Sequence, residues 1–112
     1  MQMTAISTDK TSTDGIRIIS DCELRLEFYY ATGTGTVTVQ VRQGVGSAWH
    51  DAKYATAADP LTGTTVAVTG TAKINLEASA GEEYRLVSTS TSGASIKPSF
   101  SGRGAYYIPT LA

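Results

Sequence analysis

His50 is the only histidine in the 112-residue chain. Nucleophilic catalysis needs an imidazole beside a nucleophile, with a carboxylate to orient it. The adjacent Asp51 cannot orient His50, because successive side chains of a strand point to opposite faces. His50 is therefore expected on the surface of a hairpin. A zinc site needs several Cys and His ligands, and the chain has one of each. Asp51 and Asp59 could join backbone carbonyls around calcium, but no loop carries the ligand spacing of a calcium site. Glu82 and Glu83 are adjacent, so on an extended chain they diverge and cannot share a substrate as a glycosidase pair does. They read as a solvated turn. Gly33-Thr34-Gly35-Thr36 is followed by Val37 and by no helical pattern, so it lacks the helix N-terminus that a phosphate loop needs. The expectation is a chain with no catalytic site, no metal and no cofactor. Cys22 lies in phase with Ile18, Leu24 and Leu26 and reads as an inert core thiol.

Aromatic side chains remain. Trp49, Tyr54, Tyr29, Tyr30, Tyr106 and Tyr107 could form a sugar-stacking platform or a protein interface. The single Trp is expected to pack. Tyr29 falls between the inward positions Phe28 and Tyr30, so alternation puts it outside. The C-terminal Ala105-Tyr106-Tyr107-Ile108-Pro109-Thr110-Leu111 either adds an edge strand to its own domain or covers a neighbouring subunit. The candidate partner-binding residues are Thr4, Ile6, Tyr29, Tyr106, Tyr107, Ile108 and Leu111.

Strands must position these groups. Every even residue from Ile16 to Tyr30 except Ser20 is apolar, a period-two pattern that marks half-buried strand. Ser20-Asp21 reads as a turn or bulge, with Arg17, Glu23, Arg25 and Glu27 on the solvent face. Residues 31–35 read as a flexible turn before Val37, Val39 and Val41. Gly44-Val45-Gly46-Ser47 closes a hairpin, and residues 48–54 form a short strand. Residues 55–65 are a longer connection with Asp59-Pro60 as its turn. Val66 and Val68, then Ala72, Ile74, Leu76 and Ala78, then Tyr84 and Leu86, continue the alternation. Ser92-Gly93 breaks the chain before Ile96, Pro98 and Phe100. The reading is all-β: a single β-sandwich or jelly roll of about eight short antiparallel strands. An extended N-terminal arm (1–14), the sandwich domain (15–104) and a C-terminal tail (105–112) divide the chain. Removing the arm is expected to leave the fold cooperative.

Composition narrows the partners. Net charge is −1 and the nine basic residues are scattered, so no basic face exists to neutralise nucleic-acid phosphates. Apolar runs fall far short of the ~20 residues needed for a spanning helix. Residues 1–14 lack the basic start and apolar centre of a secretory signal. A single cysteine excludes an internal disulfide.

Two segments, GTVTVQVRQGVGSAWHDAKY (35–54) and AGEEYRLVSTSTSG (80–93), resemble a family of small β-sandwich structural proteins of tailed bacteriophages. Gly35, Val37, Val39, Gln40, Gly46, Trp49, Gly81, Tyr84, Arg85, Leu86, Ser92 and Gly93 carry the likeness. Gly46, Trp49, Tyr84, Arg85 and Leu86 would be its structural positions. The hairpin departs from the family's Ser-x-Asp-Gly-Gly, holding Arg42, Gly44, Val45 and Gly46, yet two glycines still permit a tight turn. The resemblance implies a non-enzymatic virion component made in the host cytoplasm. A capsid decoration (cement) protein comes first. A tail or fibre module that binds carbohydrate, or a minor tail connector, is the alternative. Its partners would be the major capsid protein or other virion proteins, with further copies of itself, for example as a trimer at a symmetry axis.

Overall fold

The computed structural model describes residues 1–54 and 63–111. Those residues form ten strands and no helix: β1 (Lys10–Thr11), β2 (Gly15–Ile18), β3 (Cys22–Arg42), β4 (His50–Asp51), β5 (Lys53–Tyr54), β6 (Thr64–Thr65), β7 (Ala67–Val68), β8 (Ala72–Ala78), β9 (Glu83–Ser101) and β10 (Ala105–Ile108). All pairings are antiparallel. The all-β reading therefore holds. The strands are not all short, however, because β3 runs for 21 residues and β9 for 19.

β3 and β9 pair along nearly their whole length, from Arg25 opposite Ser101 to Arg42 opposite Glu83. The expected turns at 31–35 and 92–93 bend these strands instead of ending them. They fall opposite each other in the ladder, with Thr34 facing Ser92 and register shifts between Tyr30 and Thr36. Both chains therefore deviate at one level and pairing resumes beyond it. Gly33 (φ +72°), Gly93 (φ +58°) and Ser90 (φ +55°) supply the left-handed backbone. A Cβ on Gly33 would overlap the carbonyl of Gly93, so only glycine allows the two bends to nest.

The bend divides the sheet into two halves. In the first, β8 lies on one side of β3, from Cys22 opposite Ala78 to Phe28 opposite Ala72, and the end of β9 lies on the other. In the second, β4 and β7 flank β3 on one side. On the other side the order is β9, β2, β10. Leu24, Leu26 and Phe28 from the first half, and Val37, Val39 and Val41 from the second, join Leu86, Ile96 and Phe100 in one buried cluster. The inward faces of both halves thus share a single sandwich-like core.

Residues 1–14 are part of this fold. Gln2 bridges to Ser99, Ile6 to Ile96, Lys10 to Ser88 and Thr11 to Val87 before β2 meets Tyr84 and Glu83. The N-terminus therefore runs beside β9 across both halves, and Met3 and Ile6 enter the core. Its polar side chains secure the run. Asp9 Oδ1 accepts from the N–H and hydroxyl of Thr91, which hold its carboxyl below the usual carboxylate range. Ser12 Oγ accepts from the Leu86 N–H and donates to the Asp14 carbonyl. No boundary falls between Asp14 and Gly15. The C-terminal segment also stays at home: β10 adds an edge strand to β2, with Tyr106 opposite Arg17. The expected Asp59-Pro60 turn lies outside the described residues.

Candidate functional site

The outward face of the second half carries the densest assembly of charged and aromatic groups. Period two sends Tyr84 and Leu86 inward, which turns Glu83 and Arg85 out. The same rule turns out Gln40 and Arg42 on β3 and Arg17 on β2. Register then aligns them. Tyr106, Arg17, Glu83 and Arg42 stand in one row across β10, β2, β9 and β3. In the next row Arg85, Gln40 and Asp51 cross β9, β3 and β4.

Glu83 is the anchor. Although it faces outward it is only 1% exposed, because its neighbours close over it. Arg17 Nε donates to its Oε2 and Arg42 Nε to its Oε1, both at 2.7 Å. Burial pushes the carboxyl pKa up, but the hydrogen bonds and charges of the two guanidiniums more than reverse this and leave it below its ordinary value. The expectation of a solvated Glu82-Glu83 turn thus fails for Glu83, whereas Glu82 stays half-exposed directly after the turn at Ala80 and Gly81. Glu82 takes the Ser79 N–H and the Tyr84 hydroxyl on Oε1. Burial first, and Glu82 second, raise the Tyr84 phenol well above its usual range.

Trp49, expected to pack, lies half-buried just before β4, with the guanidinium carbons of Arg42 and Arg85 at 4.5 and 4.4 Å from its ring centroid. Arg85 Nε donates to Gln40 Oε1 at 2.8 Å, and Gln40 Nε2 donates to Asp51 Oδ1 at 3.2 Å. Burial, and then the like charge of Arg42, lower the Arg85 pKa. Two guanidiniums are therefore held against one indole, each fixed through its Nε by a sheet neighbour. Such a surface is preorganised to receive carboxylates or planar groups.

Not every anticipated contact residue reaches this face. Tyr106 does, and is 51% exposed. Tyr29 is 57% exposed but belongs to the other half, opposite Lys97. Thr4 is exposed, and its N–H donates to Asp14 Oδ2. Ile6 is buried in its own core, and Leu111 is buried where a Cβ on Gly15 would stand 2.5 Å from its Cδ2. Those two side chains are not available to a partner. Tyr107 and Ile108 are half-buried on β10. Gly46 occupies its loop with φ +88°, while Tyr84 and Leu86 belong to the core. Cys22 is half-buried against that core, and His50 is exposed on β4.

Arg17, Arg42 and Glu83 were not among the anticipated site residues. Parity alone puts them outward, and only the register shows that the carboxylate falls between the two arginines. A scan against protein-family models and searches of curated proteins and of solved structures find no match to this chain.

Proposed function

We propose that the chain is a non-enzymatic structural protein of a bacteriophage particle, a capsid decoration protein that docks on the assembled head through the Trp49 face. The observation that carries this reading is Trp49 held against Arg42 and Arg85 on an outward sheet surface, with Tyr106 in the neighbouring row. Trp, Tyr and Arg are the residues that concentrate binding energy at protein interfaces. The two phage-like segments supply the core of this face, since 35–54 contains Gln40, Arg42 and Trp49 and 80–93 contains Glu83 and Arg85. Many weak copies of such a contact gain strength from repetition over a shell.

The test is the copy number of the protein in purified virions, measured by quantitative mass spectrometry against the major capsid protein. A ratio near that of the shell subunits supports decoration. A ratio many times lower places the protein in the tail. The alternative, a tail or fibre module that binds carbohydrate, draws on the exposed Tyr29 and not on Trp49, whose ring is already engaged by arginines. That reading requires glycan binding that Tyr29→Ala removes.

A further inference from the structure

β8 is the longest strand with a bare edge. It pairs with β3 along seven residues, and among the described residues no strand lies on its other side. Such an edge presents unpaired backbone donors and acceptors and is a template for another strand unless it is blocked. The edge of β10 is four residues long and is followed at once by Pro109, which has no N–H to offer. Within β8 there is no proline, bulge or inward-pointing charge.

The sequence of β8, Ala72-Lys73-Ile74-Asn75-Leu76-Glu77-Ala78, is complementary to itself in the antiparallel sense. Centred on Asn75, a second copy sets Lys73 opposite Glu77, Ile74 opposite Leu76 and Ala72 opposite Ala78. Lys73, Asn75 and Glu77 are exposed on one face, whereas Ile74 and Leu76 turn toward the core side. Beside them lies a cleft of about 450 Å³ lined by Val66, Val68, Ala72, Ile74 and Leu76. Within its own chain Glu77 stands opposite Glu23, a like charge, and among the described residues it forms no ion pair. Lys73 reaches Glu27 only at 3.8 Å, with its side chain 70% exposed. A second copy gives each of these charges an opposite partner across the strand.

We infer that β8 is the interface of a symmetric dimer of this chain, formed edge to edge about a twofold axis through Asn75. Twofold contacts of this kind are self-complementary by construction: each bond made by one copy is repeated by the other. The pairing lies in the half of the fold that does not carry Trp49, so it goes beyond the docking reading and does not depend on it.

Sedimentation velocity of the purified full chain over a range of concentrations tests the dimer. Lys73→Glu or Glu77→Lys alone sets like charges opposite each other at two places per dimer and weakens association by roughly tenfold or more. The double variant, Lys73→Glu with Glu77→Lys, restores it. Asn75→Cys in a Cys22→Ser background yields a disulfide-linked dimer under mild oxidation, whereas Tyr29→Cys in the same background does not. Melting curves establish that each variant is folded. A wild-type chain that stays monomeric or forms trimers overturns the inference. So does a dimer indifferent to both single reversals, or a folded Asn75→Cys variant that fails to cross-link.

Discussion

Ile6 and Ile96 exchange both of their backbone hydrogen bonds, each N–H donating to the other's carbonyl at 2.9 Å, and both side chains are buried. This pair pins the N-terminal segment to β9 above the bend. Ile6→Ala is expected to cost about 2–4 kcal/mol of stability. Removing residues 1–9 is expected to abolish cooperative unfolding, because Met3 leaves the core with Ile6 and the edge of β9 is laid bare. Urea denaturation followed by tryptophan fluorescence measures both effects. An unchanged midpoint in the truncated chain would show that the segment adds nothing to the fold.

Glu83 gives the fold an acid-sensitive element. Its carboxyl pKa is lower in the folded chain than in the unfolded one, so its contribution is complete above about pH 4.3, the ordinary glutamate value. That contribution is lost as pH falls through the folded-state value below it. Glu83→Gln is expected to cost about 3 kcal/mol at neutral pH, since it leaves the nearly buried Arg42 without its anion. The gap between wild type and variant should close as the solution is acidified from pH 5 to pH 2. A gap that stays constant over that range would assign the loss to packing.

Gly33 and Gly46 both sit at positive φ but in different surroundings. A Cβ on Gly46 meets nothing within 4 Å, whereas one on Gly33 overlaps the backbone of Gly93. Gly46→Ala should cost about 1–2 kcal/mol, the conformational penalty alone. Gly33→Ala should cost well over that, because either the bend of β3 or that of β9 must move. Equal midpoints for the two variants in thermal melts would mean that the bends do not nest as described.

Trp49→Ala separates docking from folding. Two cation–π contacts on a half-exposed ring contribute about 0.5–1 kcal/mol each, so the variant should stay folded. Its binding to shells stripped of the protein should fall at least tenfold. Arg85→Lys retains the charge but loses the flat stacking surface and should reproduce most of that fall. Binding at the wild-type level by both variants would remove this face from the docking surface.

The inward faces were legible because alternation needs no partner to be seen: Leu24, Leu26, Phe28, Val37, Val39, Val41 and Leu86 are all buried. The N-terminal segment was not. Met3 and Ile6 are three residues apart, a spacing that puts them on opposite faces of a regular strand, and Thr4 and Ala5 between them give no alternating pattern. Glycine pairs were read as strand ends because a bend and an end look alike until the opposite strand is known. The Glu83 site was hidden for the same reason. Three charged residues at 17, 42 and 83 become one cluster only through pairing partners that lie 41 and 66 residues apart in the chain.

β3 cannot find β9 until β9 exists. During synthesis at ~5–20 residues per second, the interval between making Arg42 and making Ser101 lasts roughly 3–12 s. Through that time a 21-residue strand with apolar stretches at residues 24–28 and 37–41 must wait beside the ribosome without its principal mate. Its opposite face carries Glu23, Arg25 and Glu27, and its middle is broken by Gly33 and Gly35. The charges and the glycines therefore act twice, first as deterrents to premature aggregation of a nascent chain and later as the outer surface and the crease of the finished protein.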